Sequence, residues 1–146
     1  MVCVNTYTRE YINQCRERME AQLAARRELV ASGRDQRSAQ PAFDAALGAF
    51  DPVFFNTLLL ALDYSFVERS RTVELSDGNP LNEVRILCHS ILRNRGVLAS
   101  DPAIEYSAAR SVLGIEVGQA IRLREPEFVR LLNAFIAELE SKFAAA

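Results

Sequence analysis

Apolar side chains recur at helical spacing in four stretches of this chain, and these stretches predict its main elements. In the first, within residues 1–33, arginine and glutamate surround a narrow apolar stripe of Tyr11, Ile12, Cys15, Met19, Leu23 and Val30. Thr6 or Thr8 is expected to cap this helix, and Gly33 to follow its last turn. A helix of that length spans about 40 Å. We therefore predict that it extends beyond the rest of a small domain or packs along another long helix.

Prolines mark the predicted starts of the three later helices. The first turn of a helix tolerates proline because its N–H groups have no partner there, and a preceding Asp or Asn can cap the helix. The pairs concerned are Asp51-Pro52, Asn79-Pro80 and Glu125-Pro126. Before Pro52, residues 41–48 are expected to form only a short alanine-rich turn, held to the core by Phe43 and Leu47.

The segment after Pro52 is the most hydrophobic part of the chain. Between Val53 and Val67, apolar side chains cover nearly the whole helical circumference. A helix that is apolar on all sides is normally enclosed by its neighbours. We expect this helix at the centre of the domain, packed by the helices that begin at Pro80 and Pro126.

Two stretches depart from the helical pattern. Residues 34–40 have no apolar periodicity and are predicted to be an exposed linker. Residues 112–123 are rich in β-branched side chains and contain two glycines, so two short strands, 112–115 and 120–123, are expected in a small hairpin. The predicted fold class is mostly α: a single helical domain over residues 1–146, built as a compact bundle of about four main helices with this β-hairpin-like element before the last helix.

Composition narrows the classes of function. A formal net charge of −2 and a pI near 5.5 argue against a nucleic-acid-binding surface. The longest unbroken apolar run, Leu58 to Leu62, is far shorter than the ~20 residues of a membrane-spanning helix. Three cysteines without C-x-x-C spacing, and an opening sequence without an apolar targeting segment, favour reduced thiols in the cytoplasm. We expect a soluble cytoplasmic protein that binds neither nucleic acid nor membranes.

No catalytic motif is recognisable in the sequence. Cys88 and His89 are adjacent, but neighbouring residues on a helix point about 100° apart and cannot pair as nucleophile and base. Cys88 falls on the apolar stripe of its helix, so a buried structural thiol is expected. The single histidine and the lack of metal-ligand spacing predict neither a metal nor a cofactor, and no catalytic residue is assigned.

One polar cluster could form a ligand pocket between the helices at residues 52–70 and 80–95. Asp63 interrupts the apolar helix, and a charge in such a place is costly unless it is paired. The side chains that could face each other there are those of Asp63, Glu68, Glu83, Arg85 and His89. The alternatives are an ion pair of Asp63 with an arginine such as Arg85, or a narrow solvent-facing strip.

The turn before Pro80 is a candidate anion site. Free N–H groups and the helix dipole favour anions at a helix N-terminus. The residues that could hold an anion there are Ser76, Gly78, Asn79 and Arg71. The alternative is a plain capped turn, because the glycine spacing of a phosphate loop is missing.

These observations leave two classes of function. The long, sparingly apolar N-terminal helix fits packing along a copy of itself or along a partner helix. We therefore predict a non-enzymatic intracellular interaction module that forms a homodimer through this helix. The alternative is a small-ligand or anion-binding protein, or a small enzyme, with the polar pocket around Asp63, Arg85 and His89.

Overall fold

The computed structural model describes residues 2–34 and 40–146, and within them the fold is mostly helical, as predicted. Its five α-helices are α1 (Arg9–Arg34), α2 (Gln40–Ser65), α3 (Arg71–Glu74), α4 (Pro80–Arg93) and α5 (Glu125–Phe143). A short 3₁₀ turn, Ala108–Arg110, lies between α4 and α5. Residues 35–39 of the predicted linker lie outside the described residues, while its end residues, Arg34 and Gln40, belong to helices.

Helix α1 begins as predicted but ends differently. Thr8 Oγ1 accepts a hydrogen bond from the backbone N–H of Tyr11 at 3.1 Å and so caps the first turn. The prediction that Gly33 follows the helix is wrong, because Gly33 lies inside α1. A Cβ atom at Gly33 would come within 2.7 Å of Phe43 Cζ on α2. The missing side chain therefore serves the close packing of two helices.

Helix α2 begins at Gln40, and the prediction that it starts at Pro52 is wrong. The preceding residues are rich in alanine, the strongest helix former, so the helix extends through them. Pro52 has no backbone N–H, so the Gly48 carbonyl lacks its usual partner within the helix. The Asp51 carboxylate, expected as a cap, instead forms two hydrogen bonds to Arg26, at 2.9 and 2.6 Å.

The starts of α4 and α5 agree with the sequence prediction. Asn79 Oδ1 accepts hydrogen bonds from the backbone N–H groups of Leu81 and Asn82, at 3.0 and 3.1 Å, with Pro80 in the first turn. Helix α5 begins at Glu125 with a proline in its first turn and no side-chain cap. Local sequence is sufficient at both places because each signal is satisfied within one turn.

One hydrophobic core joins α1, α2, α4 and α5. Helix α2 contacts the other three, and Phe55, Leu59 and Leu62 on its inner face are completely buried. On its outer face, however, Val53 is 67% exposed and Tyr64 is 77% exposed. The predicted enclosure of this helix is correct for the inner face and wrong for the outer one.

By length and composition α2 could cross a membrane, since it contains an 18-residue window of mean hydropathy 1.6. A single such helix is weak evidence for a span, because core helices of soluble proteins have the same property. The inner face of α2 packs against three other helices and carries the buried Asp51 carboxylate. The structure thus places one face of α2 in the hydrophobic core.

Residues 112–123 form no β-hairpin in the described structure, so that prediction is wrong. The side-chain amide of Asn56 on α2 donates to the carbonyl of Ile121 at 2.8 Å and accepts from the N–H of Leu123 at 3.2 Å. An amide that bonds both a carbonyl and an N–H of an extended segment takes the place of a strand partner. The extended pairings that the described residues contain are isolated bridges: Val4–Arg69, Tyr7–Ala144, Asp77–Glu105 and Val97–Ala120.

The connected ends of α1 and α2 extend beyond the four-helix core. Between Leu23 and Asp51 no described residue is buried, and the Arg26–Asp51 ion pair lies at the edge of the core. We call residues 24–34 and 40–50 the tip hairpin. It is the extension that the length of the first predicted helix indicated, but two helices form it instead of one.

Candidate functional site

A cluster of charged side chains lies where α2, α3 and α4 meet. It consists of Asp63, Arg69, Arg71, Glu74 and Arg85, and we call it the Glu74 cluster. The Glu74 carboxylate is completely buried and accepts hydrogen bonds from Arg69 Nε at 2.9 Å and Arg85 Nη2 at 2.6 Å. Arg71 Nη1 donates a third at 3.1 Å. Three guanidinium partners thus compensate the charge of one buried carboxylate.

Arg69 connects this cluster to the core. Its side chain is completely buried, and Nη2 donates to Asp63 Oδ1 at 2.8 Å. It also donates to the backbone carbonyls of Phe66 and Leu81, at 3.0 and 3.2 Å. The guanidinium carbon lies 5.3 Å from the centre of the Phe135 ring on α5. Arg69 therefore holds together the end of α2, the first turn of α4 and the middle of α5.

The electrostatics of Arg69 favour its charged state. Burial alone lowers the pKa of its guanidinium, but the adjacent carboxylates of Asp63 and Glu74 outweigh that effect and raise the pKa above its ordinary value. The charges at the centre of the cluster thus neutralise one another. In this arrangement each buried charge has a partner of opposite sign within the chain.

The structure brings together two residues of the predicted ligand pocket and separates two others. Asp63 and Arg85 both belong to the Glu74 cluster, and Asp63 pairs with an arginine, as the alternative prediction stated, although the partner is Arg69. Glu68 and His89 are exposed and lie outside the cluster. Among the cavities found in the described ranges, none has Asp63, Arg85 or His89 in its lining.

Glu83, the fifth residue of that predicted pocket, has a structural contact of its own. Its carboxylate accepts hydrogen bonds from the backbone N–H groups of Val112 and Leu113, at 2.7 and 3.1 Å. Burial raises the pKa of Glu83, while these two hydrogen bonds and the charge of Arg130 act in the opposite direction. The first of the two predicted strands therefore binds a side chain of α4 instead of another strand.

The predicted anion turn is a capped turn in which the side-chain donors of Asn79 and Arg71 already have partners within the chain. Besides capping α4, Asn79 donates through Nδ2 to the carbonyl of Glu74 at 2.9 Å. Arg71 is directed to Glu74 and Asn82 Oδ1 and does not line the cavity beside this turn, which has a volume of about 280 Å³. That cavity has two carboxylates, Asp77 and Glu105, and one guanidinium, Arg110, in its lining. The anion site stays a prediction.

The cysteines fit structural positions. Cys88 is buried, and its thiol donates to the carbonyl of Leu59 at 3.6 Å. Burial and the nearby Asp63 carboxylate raise the pKa of this thiol, so it stays protonated and unreactive at neutral pH. Cys15 is also buried and Cys3 is exposed. Across residues 2–34 and 40–146, no group of three His, Cys, Asp or Glu side chains could hold a metal ion.

Sequence reasoning missed three cavities along the outer face of α1 and α2. Their volumes are about 520 Å³ next to the N-terminal segment, 620 Å³ in the middle and 260 Å³ at the tip hairpin. They were missed because α2 was expected to be enclosed on all sides. One signal was present in the sequence: Tyr11 and Tyr64 carry hydroxyl groups that favour partly exposed positions.

No protein-family model, no curated protein and no solved structure matches this chain. The geometry of the described residues therefore carries the functional argument.

Proposed function

We propose that this protein is a non-enzymatic interaction module that forms a homodimer through the tip hairpin. The observation that carries the proposal is the lack of any buried residue between Leu23 and Asp51 in the described ranges. Helices in water obtain most of their stability from tertiary packing of an apolar face. A pair of helices whose side chains are at most partly buried gains less of this stability, so a partner would stabilise it further.

The tip hairpin has an apolar groove suited to such a partner. The groove has a volume of about 260 Å³ and is lined by Arg26, Leu29, Val30, Phe43, Ala46, Leu47 and Phe50. Leu29 is 65% exposed, and Phe50 is also exposed. Contiguous apolar side chains of this kind on a surface are typical of protein–protein contacts.

Two features favour a second copy of the chain as the partner. Two helical hairpins that pack face to face complete a four-helix bundle, and a twofold axis then presents α1 of each copy to α2 of the other. The tip part of α1 ends in Arg34, whereas the tip part of α2 contains Asp44 and no basic residue; Arg27 already pairs with Glu125 of its own chain. The same twofold arrangement therefore brings Arg34 of one copy towards Asp44 of the other.

Size-exclusion chromatography with light scattering tests the proposal. The wild-type chain should elute at micromolar concentration with twice the monomer mass of 16.3 kDa. Leu29→Glu should give a monomer, since it places a charge in the apolar contact. Leu92→Glu is the matched control, because Leu92 on α4 is 66% exposed, and it should stay dimeric. A wild-type monomer, or equal dissociation in both variants, would contradict the proposal.

The alternative function, a ligand-binding protein or small enzyme with a pocket around Asp63, has less support. Asp63 and Arg85 already form ion pairs within the Glu74 cluster, and His89 is exposed at a different position. A ligand would have to break these pairs to reach the charges. Cytoplasmic location is a further prediction, consistent with two buried free cysteines and one exposed.

A further inference from the structure

A groove that is separate from the Glu74 cluster and from the tip hairpin runs between the N-terminal segment and the end of α2. Its volume is about 520 Å³, and it is lined by Val4, Thr6, Tyr7, Thr8, Tyr11, Tyr64, Ser65, Val67 and Glu68. We call it the tyrosine groove. One wall is fixed by backbone hydrogen bonds from Val4 N–H to the Glu68 carbonyl at 2.7 Å and from Ser70 N–H to the Val4 carbonyl at 2.8 Å.

Three of the four tyrosines of the chain line this groove. The rings of Tyr7 and Tyr11 are stacked with centroids 5.7 Å apart and planes 15° apart. The Tyr11 hydroxyl donates to the carbonyl of Ser65 at 2.5 Å, and the Tyr7 ring lies edge-on against Phe66 at 5.0 Å. Two rings are therefore held in place, while the ring of Tyr64 is the most exposed large apolar side chain of the described residues.

The charged side chain in the lining of the groove is negative. Glu68 is the charged residue in its lining, and no arginine or lysine of the described ranges lines it. The next residue, Arg69, is directed into the core, where it pairs with Asp63 and Glu74, although its charge also acts on Tyr7. The carboxylate of Glu68 and the three tyrosine rings therefore give the groove an aromatic, negatively charged lining, which favours cations.

We propose that the tyrosine groove binds a small organic cation of the methylated ammonium class. Aromatic faces attract such a cation when it lies within about 6 Å of a ring centroid. Its methyl groups need no hydrogen-bond acceptors and suit the apolar side chains of Val4 and Val67, while Glu68 supplies the opposite charge. An anion would be repelled by the same groups.

A titration with tetramethylammonium chloride at constant ionic strength tests this inference. Tyrosine emission is the readout, because the chain has no tryptophan and three of its four tyrosines line the groove. We expect a saturable change for the wild-type chain. Glu68→Gln should weaken the affinity about threefold or more, since it removes the countercharge and keeps the shape. Tyr64→Leu should also weaken it, and this variant should stay folded because Tyr64 is exposed.

Two controls keep the outcomes distinct. Glu20→Gln removes an exposed carboxylate on α1 that does not line the groove, and it should leave the affinity unchanged. Leu29→Glu, which targets the proposed dimer contact, should also bind tetramethylammonium as the wild type does. A linear, non-saturating response, or equal affinity for wild type and Glu68→Gln, would overturn the inference. So would dissociation of a dimer by Tyr64→Leu, because a second copy of the chain would then be the occupant of the groove.

Discussion

At one end of the molecule, the completely buried Glu74 carboxylate contacts three arginines, and at the other end Leu29 and Phe50 of the tip hairpin are exposed to solvent. The two regions thus distribute polarity in opposite ways. In the Glu74 cluster, charges are inside and paired. In the tip hairpin, apolar side chains are outside and have little to pack against within the chain.

The difference indicates how each region obtains its stability. A buried ion-pair network depends on every partner being present, because a single removed partner leaves a buried charge uncompensated. An exposed apolar hairpin is stabilised only by what packs on it, and the tip hairpin buries no described side chain. The first region is complete within one chain, whereas the second is suited to a partner.

The largest effect is expected from Glu74→Ala. This variant removes a carboxylate from the completely buried Arg69 and should lower the free energy of unfolding by about 3–5 kcal/mol. Glu140→Ala is the control, because Glu140 pairs with Arg16 at the surface and should cost less than about 1 kcal/mol. Urea denaturation of both variants measures the difference. Equal costs would show that the Glu74 cluster is not a stabilising core.

A smaller effect is expected from alanine at two glycines, one in the turn before α4 and one in the tip hairpin. A Cβ atom at Gly78 would lie 2.7 Å from the backbone oxygen of Glu105, which cannot move freely, so Gly78→Ala should cost about 1–3 kcal/mol. At Gly33 the obstacle is the Phe43 ring, a side chain in the open tip hairpin that can rotate away. Gly33→Ala also gains helix propensity, so its net effect should stay below about 1 kcal/mol. Thermal unfolding of the two variants compares them, and a larger loss for Gly33→Ala would mean that the tip hairpin is rigidly packed.

The smallest effect concerns Tyr7, near the Glu74 cluster. Its hydroxyl is the buried side-chain polar atom of the described residues that has no hydrogen-bond partner. Tyr7→Phe removes this cost and should stabilise the fold by about 1 kcal/mol in urea denaturation. A loss of stability would imply a partner for the hydroxyl.

The same residue predicts a pH dependence. Burial raises the pKa of Tyr7 to about 12 from the ordinary 10.0, even though the charge of Arg69 acts in the opposite direction. The unfolded chain therefore loses this proton first. Deprotonation of Tyr7 in the unfolded chain therefore lowers the free energy of unfolding as the pH rises from 10 towards 12, and this loss is absent below pH 10. Across this range the free energy of unfolding should fall less steeply for Tyr7→Phe than for the wild type.

Part of the fold followed from local sequence. Thr8 caps α1, and Asn79 with Pro80 starts α4, because each of these signals is satisfied by backbone groups within one turn. The mostly helical class and the inner faces of the helices also followed, since apolar periodicity determines which side of a helix can be buried. The apolar periodicity did not show that the outer face of α2 stays exposed.

Apart from the early start of α2, which follows from its local alanine content, the failures involve contacts that only the folded chain brings together. Asp51 pairs with Arg26 instead of capping a helix, and Asn56 bonds the segment around Ile121 that was expected to form a strand. Arg69, which organises the Glu74 cluster, has hydrogen-bond partners only 3 to 12 residues away, but its burial beside Phe135 of α5 depends on the folded core. The candidate groove was missed for the same reason, since Tyr7 and Tyr64 meet only in the folded protein.

The sequence by itself determined that the chain is helical, where most helices begin and which side of each can face a core. The tertiary structure decided which charges pair, where proline and glycine are accommodated, and which apolar surface remains open. The physical reason is range: capping and periodicity act within a few residues, whereas the partner of a buried charge or the cover of an apolar face depends on chain segments that only folding brings together.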